Sequence, residues 1–281
     1  MRALALALLV AATASVACER SATDEAPAAA ARLVRPNVLL IVVDTLRRDR
    51  LGVYGHHRPT SPSLDALAAQ GMRYDHAVSQ APWTLPSLAS LLTSRYPSQL
   101  GIADVDTVVP ESALLLPELL QTHGYATGAV VSHRFAAARW GFRQGYDVFD
   151  ETSVLDHDAV TSPAVSNAAI AFLDRHDERP FFLLLHYFDP HSDYREHAGF
   201  ELPREAPYRG PIESGMARRE LLALRRRLRA ADVAELLRIY DSEIAFTDHH
   251  IGRVLDALRE RGLYDRTIVV ATADHGEEFL D

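Results

Sequence analysis

The chain has 281 residues, of which 48% are hydrophobic, and this is enough for one large globular domain with a buried core. The formal net charge is −9 at pH 7, so the composition argues against nucleic-acid binding. All 29 basic residues are arginine, so these 281 residues supply no lysine for Schiff-base catalysis or for a phosphate clamp.

The N-terminus has the pattern of an export signal. An apolar segment ends at Cys18, the only cysteine, and is shorter than the roughly 20 residues that span a bilayer. Residues 1–17 are therefore predicted to be a signal peptide. The sequence SVAC resembles the lipobox of bacterial lipoproteins, although Ser15 stands where leucine is usual. Lipidation of Cys18 is predicted, with residues 18–35 as a lipid-attached tether, and an ordinary cleaved signal peptide is the alternative. Both predict export to the bacterial cell envelope, facing the periplasm or the exterior.

The rest of the chain alternates between strand and helix patterns. Four β-branched or apolar runs predict buried strands, at residues 37–44, 125–131, 181–186 and 267–274. Helical spacing with start and stop signals predicts helices at residues 61–71, 117–123 and 231–261. Strands that alternate with helices predict an α/β fold, with a mostly parallel sheet and helices on both faces.

Two acidic residues follow predicted strands. Asp44 ends the first run, and Asp274 ends the last, with His275 beside it. The carboxyl ends of parallel strands form the ligand crevice of such sheets, so these side chains are predicted to hold a divalent metal ion. For each carboxylate taken singly, a helix cap or a turn is the alternative.

Thr84 begins the segment TLPSLASLLT and is predicted to lie on a turn just before a helix. Backbone N–H groups at a helix N-terminus favour an anionic ester. A threonine hydroxyl is a poor nucleophile unless its alkoxide is stabilised, and a cation held by Asp44, Asp274 and His275 would do so. Thr84 would then be both nucleophile and metal ligand. The alternative is that Thr84 caps the helix that follows.

Residues 84–95, TLPSLASLLTSR, resemble the signature C-x-P-S-R-x-x-L-L-T-G-R of the sulfatase family in the alkaline-phosphatase superfamily. Three positions depart, because Thr84 replaces the cysteine, Leu88 the arginine and Ser94 the glycine. Further family-like segments follow in the same order, at residues 37–55, 186–194, 240–258 and 272–279. The resemblance implies an alkaline-phosphatase-like three-layer sandwich. Because family members normally continue further, residues 36–281 are interpreted as a sulfatase-like catalytic domain truncated at its C-terminal end.

The departure at position 84 decides which chemistry the resemblance implies. Sulfatases of this family convert the signature cysteine, or sometimes a serine, into formylglycine, and threonine cannot be converted. The sequence is therefore more similar to the threonine branch of the superfamily, which includes phosphoethanolamine transferases and phosphodiesterases. That branch holds a metal with an acidic residue on the first strand, the threonine and an Asp-His pair, which here correspond to Asp44, Thr84, Asp274 and His275. At least one divalent ion is implied, with Mn, Zn, Mg and Ca not distinguished.

The implied function is that of a hydrolase or transferase for phosphate or sulfate esters, with a covalent intermediate on Thr84. His191 lies in DPHSDY, which is similar to a family segment whose histidine contacts the transferring group. His186 and Arg95 are candidate substrate-binding residues, and a core histidine is the alternative for His186. The expected partner is an anionic ester, linked to lipid or glycan. An arylsulfatase-like sulfuric ester hydrolase and a non-catalytic envelope lipoprotein that binds anionic glycans or lipids remain alternatives.

Two charged segments are interpreted as structural. Asp241, Glu243 and Asp248 lie on the predicted long helix, where helical geometry favours packing with a solvated acidic face over a metal site. Residues 216–229 contain six arginines. They predict a solvated helix face paired with nearby acids, or on a lipid-tethered enzyme a contact with anionic head groups.

Overall fold

The computed structural model describes residues 35–155, 159–175, 178–191 and 193–279. The predicted signal peptide, Cys18 and all of the predicted tether except Arg35 lie outside the described residues, so these assignments stay predictions. The predicted α/β fold is confirmed.

The centre of the domain is a five-stranded parallel sheet with the order β3-β2-β4-β1-β5. Its strands are β1 (Asn37–Val43), β2 (Ala126–Val130), β3 (Val148–Asp150), β4 (Phe181–Tyr187) and β5 (Thr267–Ala273). The four predicted runs supply β1, β2, β4 and β5. The prediction that the last run is buried is wrong, because Ile268 and Val270 of β5 are exposed. β3 was not predicted, because its three residues are too few to show a hydrophobic period.

Seven α-helices connect and flank the strands of the described chain. They are α1 (Pro62–Ala69), α2 (Thr84–Thr93), α3 (Pro97–Leu100), α4 (Leu116–Thr122), α5 (Ser162–Asp174), α6 (Arg218–Leu224) and α7 (Ala230–Glu260). The three predicted helices correspond to α1, α4 and α7, with bounds that differ by one or two residues. Among the described helices, none is both long enough and apolar enough to cross a membrane.

Strands β1, β2 and β4 are buried on both faces of the sheet, which makes this part of the domain three-layered, whereas β5 is half-buried or exposed. Along β1, alternate side chains point to opposite faces, so Leu39 and Ile41 belong to a core with α1, α5 and α7. Leu40 and Val42 belong to a second core with α2 and the start of α4. Burial on both sides explains why β1 reads as a continuous apolar run rather than an alternating one.

The three acidic residues singled out on α7, Asp241, Glu243 and Asp248, are buried, so the predicted solvated acidic face is wrong for them. The carboxylate of Asp241 accepts two hydrogen bonds from Arg50, at 2.8 and 2.6 Å. Glu243 pairs with His197 at 2.8 Å, and Asp248 accepts from two backbone N–H groups at the start of α1. Because a buried charge is tolerated only with such partners, these residues hold other segments against α7, which agrees with their predicted packing role.

Candidate active site

The register of β1 and β5 brings three of the predicted residues together. Val43 lies opposite Ala273 in the parallel pair, so the residues that follow emerge side by side at one edge of the sheet. The side chains of Asp44, Asp274 and His275 are all buried, and one potential ligand atom of each lies within 4.8 Å of the others. His275 Nε2 is 3.5 Å from Asp44 Oδ1 and 3.5 Å from Asp274 Oδ2.

Backbone contacts fix the orientation of Asp274. Its Oδ1 accepts hydrogen bonds from the backbone N–H of Thr45, at 3.2 Å, and of His275, at 2.7 Å. Thr45 has a φ of 55°, a left-handed conformation that is costly for a β-branched residue. Tyr240 on α7 stabilises this turn, because its hydroxyl donates to the Thr45 carbonyl at 2.7 Å. The turn after β1 is therefore held so that Asp274 Oδ2 remains directed at the cluster.

Thr84 is the first residue of α2, not a residue on a preceding turn, because α2 begins two residues before Pro86. A proline is tolerated there since the N–H groups of a first helical turn have no partner within the helix. The N-cap position belongs to Trp83, so the capping alternative for Thr84 is wrong. The Thr84 hydroxyl instead donates a hydrogen bond to Asp44 Oδ2 at 3.2 Å.

The other two departures from the signature have structural explanations. Leu88 is fully buried in the core between α2 and the sheet, so an apolar side chain fits this position. Ser94 follows the last residue of α2 with a φ of 56°, in the left-handed conformation that often ends a helix. Glycine adopts this conformation without steric cost, which explains the glycine of the signature.

Two further histidines face the Oδ2 side of Asp44. His133 Nδ1 lies 3.3 Å from Asp44 Oδ2, and His186 Nε2, on β4, lies 3.6 Å from the same oxygen. His133 was missed by the sequence reasoning. It follows β2 at the same edge of the sheet, so the rule that selected Asp44 and Asp274 would also have selected His133.

His186 is completely buried, unlike an ordinary substrate-contacting residue at a surface. Burial, together with the nearby His133 and His275, lowers the pKa of His186 to about 3. Its imidazole is therefore neutral at physiological pH, which is the form that contacts a metal or a hydrogen-bond donor. The Ser132 hydroxyl donates to the His186 carbonyl at 2.6 Å and fixes this part of β4.

His191 lies beside His133. The His133 and His191 rings are 5.6 Å apart, and Phe188 stacks on both, at 4.4 and 4.6 Å between ring centroids. The assignment of His191 as a catalytic residue stays a prediction. The nearby Asp189 carboxylate accepts hydrogen bonds from the backbone N–H groups at the start of α5, beginning with Thr161 N at 2.6 Å.

Arg95 is exposed just after α2 and lines an open groove that also contains Asp274 and His275. Arg95 therefore lies in the same groove as Asp274 and His275, as a substrate-binding role would require. The role itself stays a prediction.

The electrostatics of the cluster fit a cation. Burial raises the pKa of Asp44 to about 7, and burial and the charge of Asp44 raise that of Asp274 to about 8. Asp44 Oδ1, Asp274 Oδ2 and His275 Nε2 have no hydrogen-bond partner within the described part of the chain. Two buried carboxylates beside an imidazole supply the oxygen and nitrogen ligands that divalent metals prefer, so the donor set fits a metal ion.

Comparison with known proteins agrees with this geometry. The family model described as Sulfatase matches residues 36–281. The ulvan-active sulfatase of Formosa agariphila is 29% identical over 275 residues, which cover 86% of this chain and 51% of that protein. The chain spans about half the length of the curated relatives it matches.

Two solved structures share the fold at low sequence identity. The phosphonate monoester hydrolase of Agrobacterium radiobacter has a TM-score of 0.67 and 21% identity, over 88% of this chain and 64% of that one. The C-terminal periplasmic domain of EcEptC from Escherichia coli, in complex with Zn, has a TM-score of 0.66 and 17% identity. The match covers 88% of this chain and 65% of that one. These likenesses show the alkaline-phosphatase-like architecture alone. Together with the match over nearly the whole described domain, they lead to one assignment: the chain belongs to the sulfatase family.

Proposed function

We propose that the protein is a metal-dependent hydrolase or transferase that acts on phosphate esters, with Thr84 as its nucleophile. The observation that carries the proposal is the hydrogen bond of 3.2 Å from the Thr84 hydroxyl to Asp44 Oδ2, at the N-terminus of α2 and beside the Asp274 and His275 pair. Threonine cannot become formylglycine, so the hydroxyl itself has to attack. The same geometry favours an enzyme over a lipoprotein that only binds anionic ligands.

Asp44, Asp274 and His275, with the oxygen of Thr84, would hold the divalent cation. When bound, this cation would make the Thr84 hydroxyl a stronger nucleophile and offset the negative charge of the ester. The protein itself supplies the orientation. Asp44 Oδ2 accepts the hydrogen bond of the hydroxyl, and the N–H groups in the first turn of α2 attract the anionic ester.

The proposed reaction is a double displacement. Thr84 Oγ attacks phosphorus as its proton passes to Asp44 Oδ2, and a new oxygen–phosphorus bond forms while the bond to the leaving oxygen breaks. The leaving oxygen takes a proton from water and departs as the alcohol. Water or an acceptor hydroxyl then attacks the same phosphorus and releases Thr84. His191 is the proposed contact to the transferring group, and Arg95 is a proposed contact to the substrate in the groove. His186 is too deeply buried for this and is proposed to support Asp44 instead.

Sulfate esters are the second candidate substrate, because the ulvan-active relative is named a sulfatase. The fold does not choose between the two, since a phosphonate monoester hydrolase shares it. Export as a lipid-anchored envelope protein, through Cys18, remains part of the proposal. An anionic ester on a glycan or lipid of the envelope would then be within reach.

The test compares Thr84→Ala with Thr93→Ala on a phosphodiester, a phosphomonoester and a sulfate ester, with each of the four candidate metals added. Thr93 is on the same helix, and its hydroxyl bonds the Ala89 carbonyl at 2.7 Å, so it is a matched control. We expect the Thr84 variant to lose about a thousandfold or more in kcat on phosphate esters, and the control to keep its activity.

Mass spectrometry of the wild-type protein quenched during turnover checks the intermediate, which should add one phosphoryl group to the peptide that contains Thr84. Turnover of the sulfate ester alone, lost in Thr84→Ala, would establish the second candidate. A protein that binds no divalent metal and cleaves none of the three esters would contradict the proposal and favour the non-catalytic alternative.

A further inference from the structure

Residues 216–229, here called the basic segment, form an exposed cationic surface. The segment contains α6 and the turn that leads into α7. All of its arginine side chains are exposed, at positions 218, 219, 225, 226, 227 and 229. Such a concentration is unusual for a chain whose net charge is −9, so the basic segment differs sharply from the rest of the molecule.

Most of these arginines lack an acidic partner, so the predicted pairing with nearby acids is wrong for them. Arg229 pairs with Asp232 at 3.3 Å. By contrast, the side chains of four arginines have no ion pair or hydrogen bond to any residue that the structure describes, namely Arg219, Arg225, Arg226 and Arg227. Cationic side chains concentrated in one short segment repel each other, and a multivalent anion would relieve that repulsion.

The apolar residues of the basic segment are turned toward the protein. Met216, Leu221 and Leu228 pack against the core that contains α7, and among the large apolar residues of the segment only Leu222 is exposed. A helix that inserts into a bilayer surface needs its apolar side directed at the lipid. The outward side of this segment is charged instead, which favours a water-soluble anion over a membrane.

Hydrogen bonds join the start of the basic segment to the loop that follows β4. The backbone N–H of Arg218 donates to the Asp193 carboxylate, and the N–H of Gly215 donates to the Tyr194 carbonyl at 2.7 Å. The same loop carries His191, whose ring lies 5.6 Å from that of His133 beside Asp44. The two hydrogen bonds hold the start of the basic segment against the stretch of chain that follows His191.

We propose that the basic segment binds a second anionic group of an extended, polyanionic substrate while one of its ester groups lies at Thr84. Guanidinium groups recognise sulfate and phosphate through paired, charge-assisted hydrogen bonds, so a chain that carries such groups repeatedly fits this surface. This inference rests on the proposed function for the position of the reacting ester. It adds a binding site for the part of the substrate that does not react.

The test replaces Arg225, Arg226 and Arg227 together by glutamine. The matched control replaces three exposed arginines near the opposite edge of the sheet by glutamine, at positions 143, 175 and 266. Both variants remove the same charge, and thermal melts check that both fold. Binding is measured on a Thr84→Ala background with fluorescent dextran sulfate and with polyphosphate, so that the result does not depend on turnover.

We expect the segment variant to bind both polyanions about tenfold or more weakly, whereas the control changes affinity by less than about twofold. Binding by the parent protein should also weaken as salt increases. In the protein with Thr84 intact, the segment variant should raise KM for an ester-bearing polyanion but not for a short monoester. The ratio of the monoester KM to the polyanion KM should therefore fall about tenfold.

An equal loss of polyanion affinity in the segment variant and in the control would overturn the inference, because binding would then depend only on net charge. Unchanged polyanion affinity, or a loss seen only with vesicles of phosphatidylglycerol and phosphatidylcholine, would overturn it too, and the vesicle result would identify a membrane as the partner. Neither outcome touches the proposed function, which is tested separately by ester cleavage in the wild-type protein and in Thr84→Ala.

Discussion

At the scale of single residues, Asp44 has a different environment at each carboxylate oxygen. Its Oδ1 faces His275 at 3.5 Å, on the side where the proposed metal ligands meet. Its Oδ2 accepts from Thr84 and also faces His133 and His186. Groups that contact a metal-binding carboxylate from outside keep it oriented and tune its affinity for the metal. His186 is therefore expected to act through Asp44, as a positioning residue.

The first prediction concerns His186. We expect His186→Ala to weaken divalent metal binding by about 10- to 100-fold, since Asp44 loses a contact that orients it. His186→Asn, which keeps a polar group near Asp44, should restore part of the affinity. Calorimetric titration of the metal-free protein measures this, with His123→Ala on the exposed end of α4 as the control. Equal affinity in all the proteins would mean that His186 only fills the core.

At the scale of secondary-structure elements, α2 positions the nucleophile by burying most of its surface. Leu85, Leu88 and Leu92 are all buried against the sheet, so the helix cannot rotate without opening the core. This fixes the direction of the Thr84 hydroxyl at the N-terminus of the helix. An arginine at position 88, as in the signature, would place a charge in that core.

The second prediction follows from this packing. We expect Leu88→Arg to destabilise the fold by about 3 kcal/mol or more, because the guanidinium would be buried without an acidic partner. Leu88→Met conserves volume and should cost less than about 1.5 kcal/mol. Urea denaturation followed by circular dichroism measures both values. A loss of stability in Leu88→Arg as small as that in Leu88→Met would contradict this prediction. It would show that α2 can shift and that the side chain at position 88 reaches the active site.

At the scale of the whole molecule, several buried carboxylates influence stability through pH. Burial raises the pKa of Asp44 and of Glu243 to about 7 and that of Asp274 to about 8. A raised pKa stabilises the fold below the ordinary pKa of the group, and this contribution is lost as pH rises through the folded-state value. His186 has a lowered pKa and acts oppositely, but only below its ordinary value of 6.5.

The third prediction is that the metal-free protein loses thermal stability between about pH 6.5 and pH 8 and then levels off, since only the raised carboxylates titrate there. A divalent cation added at pH 8 should raise the melting temperature, because it binds the deprotonated ligands of the folded state. Differential scanning fluorimetry with and without chelator measures both effects. A melting temperature that rises with pH in the chelated protein would contradict this assignment of buried acids.

Four of the five strands, three helices and the set of Asp44, Thr84, Asp274 and His275 could be predicted from the chain alone. Buried parallel strands are continuous apolar runs, and the residues after them meet at one edge of the sheet whatever the strand order. The tertiary structure alone decided the rest, namely the contact of His133 with Asp44, the first residue of α2, the buried acids of α7 and the unpaired arginines of the basic segment. These features depend on which distant segments pack together, and the energy of such contacts leaves no periodic pattern in the local sequence.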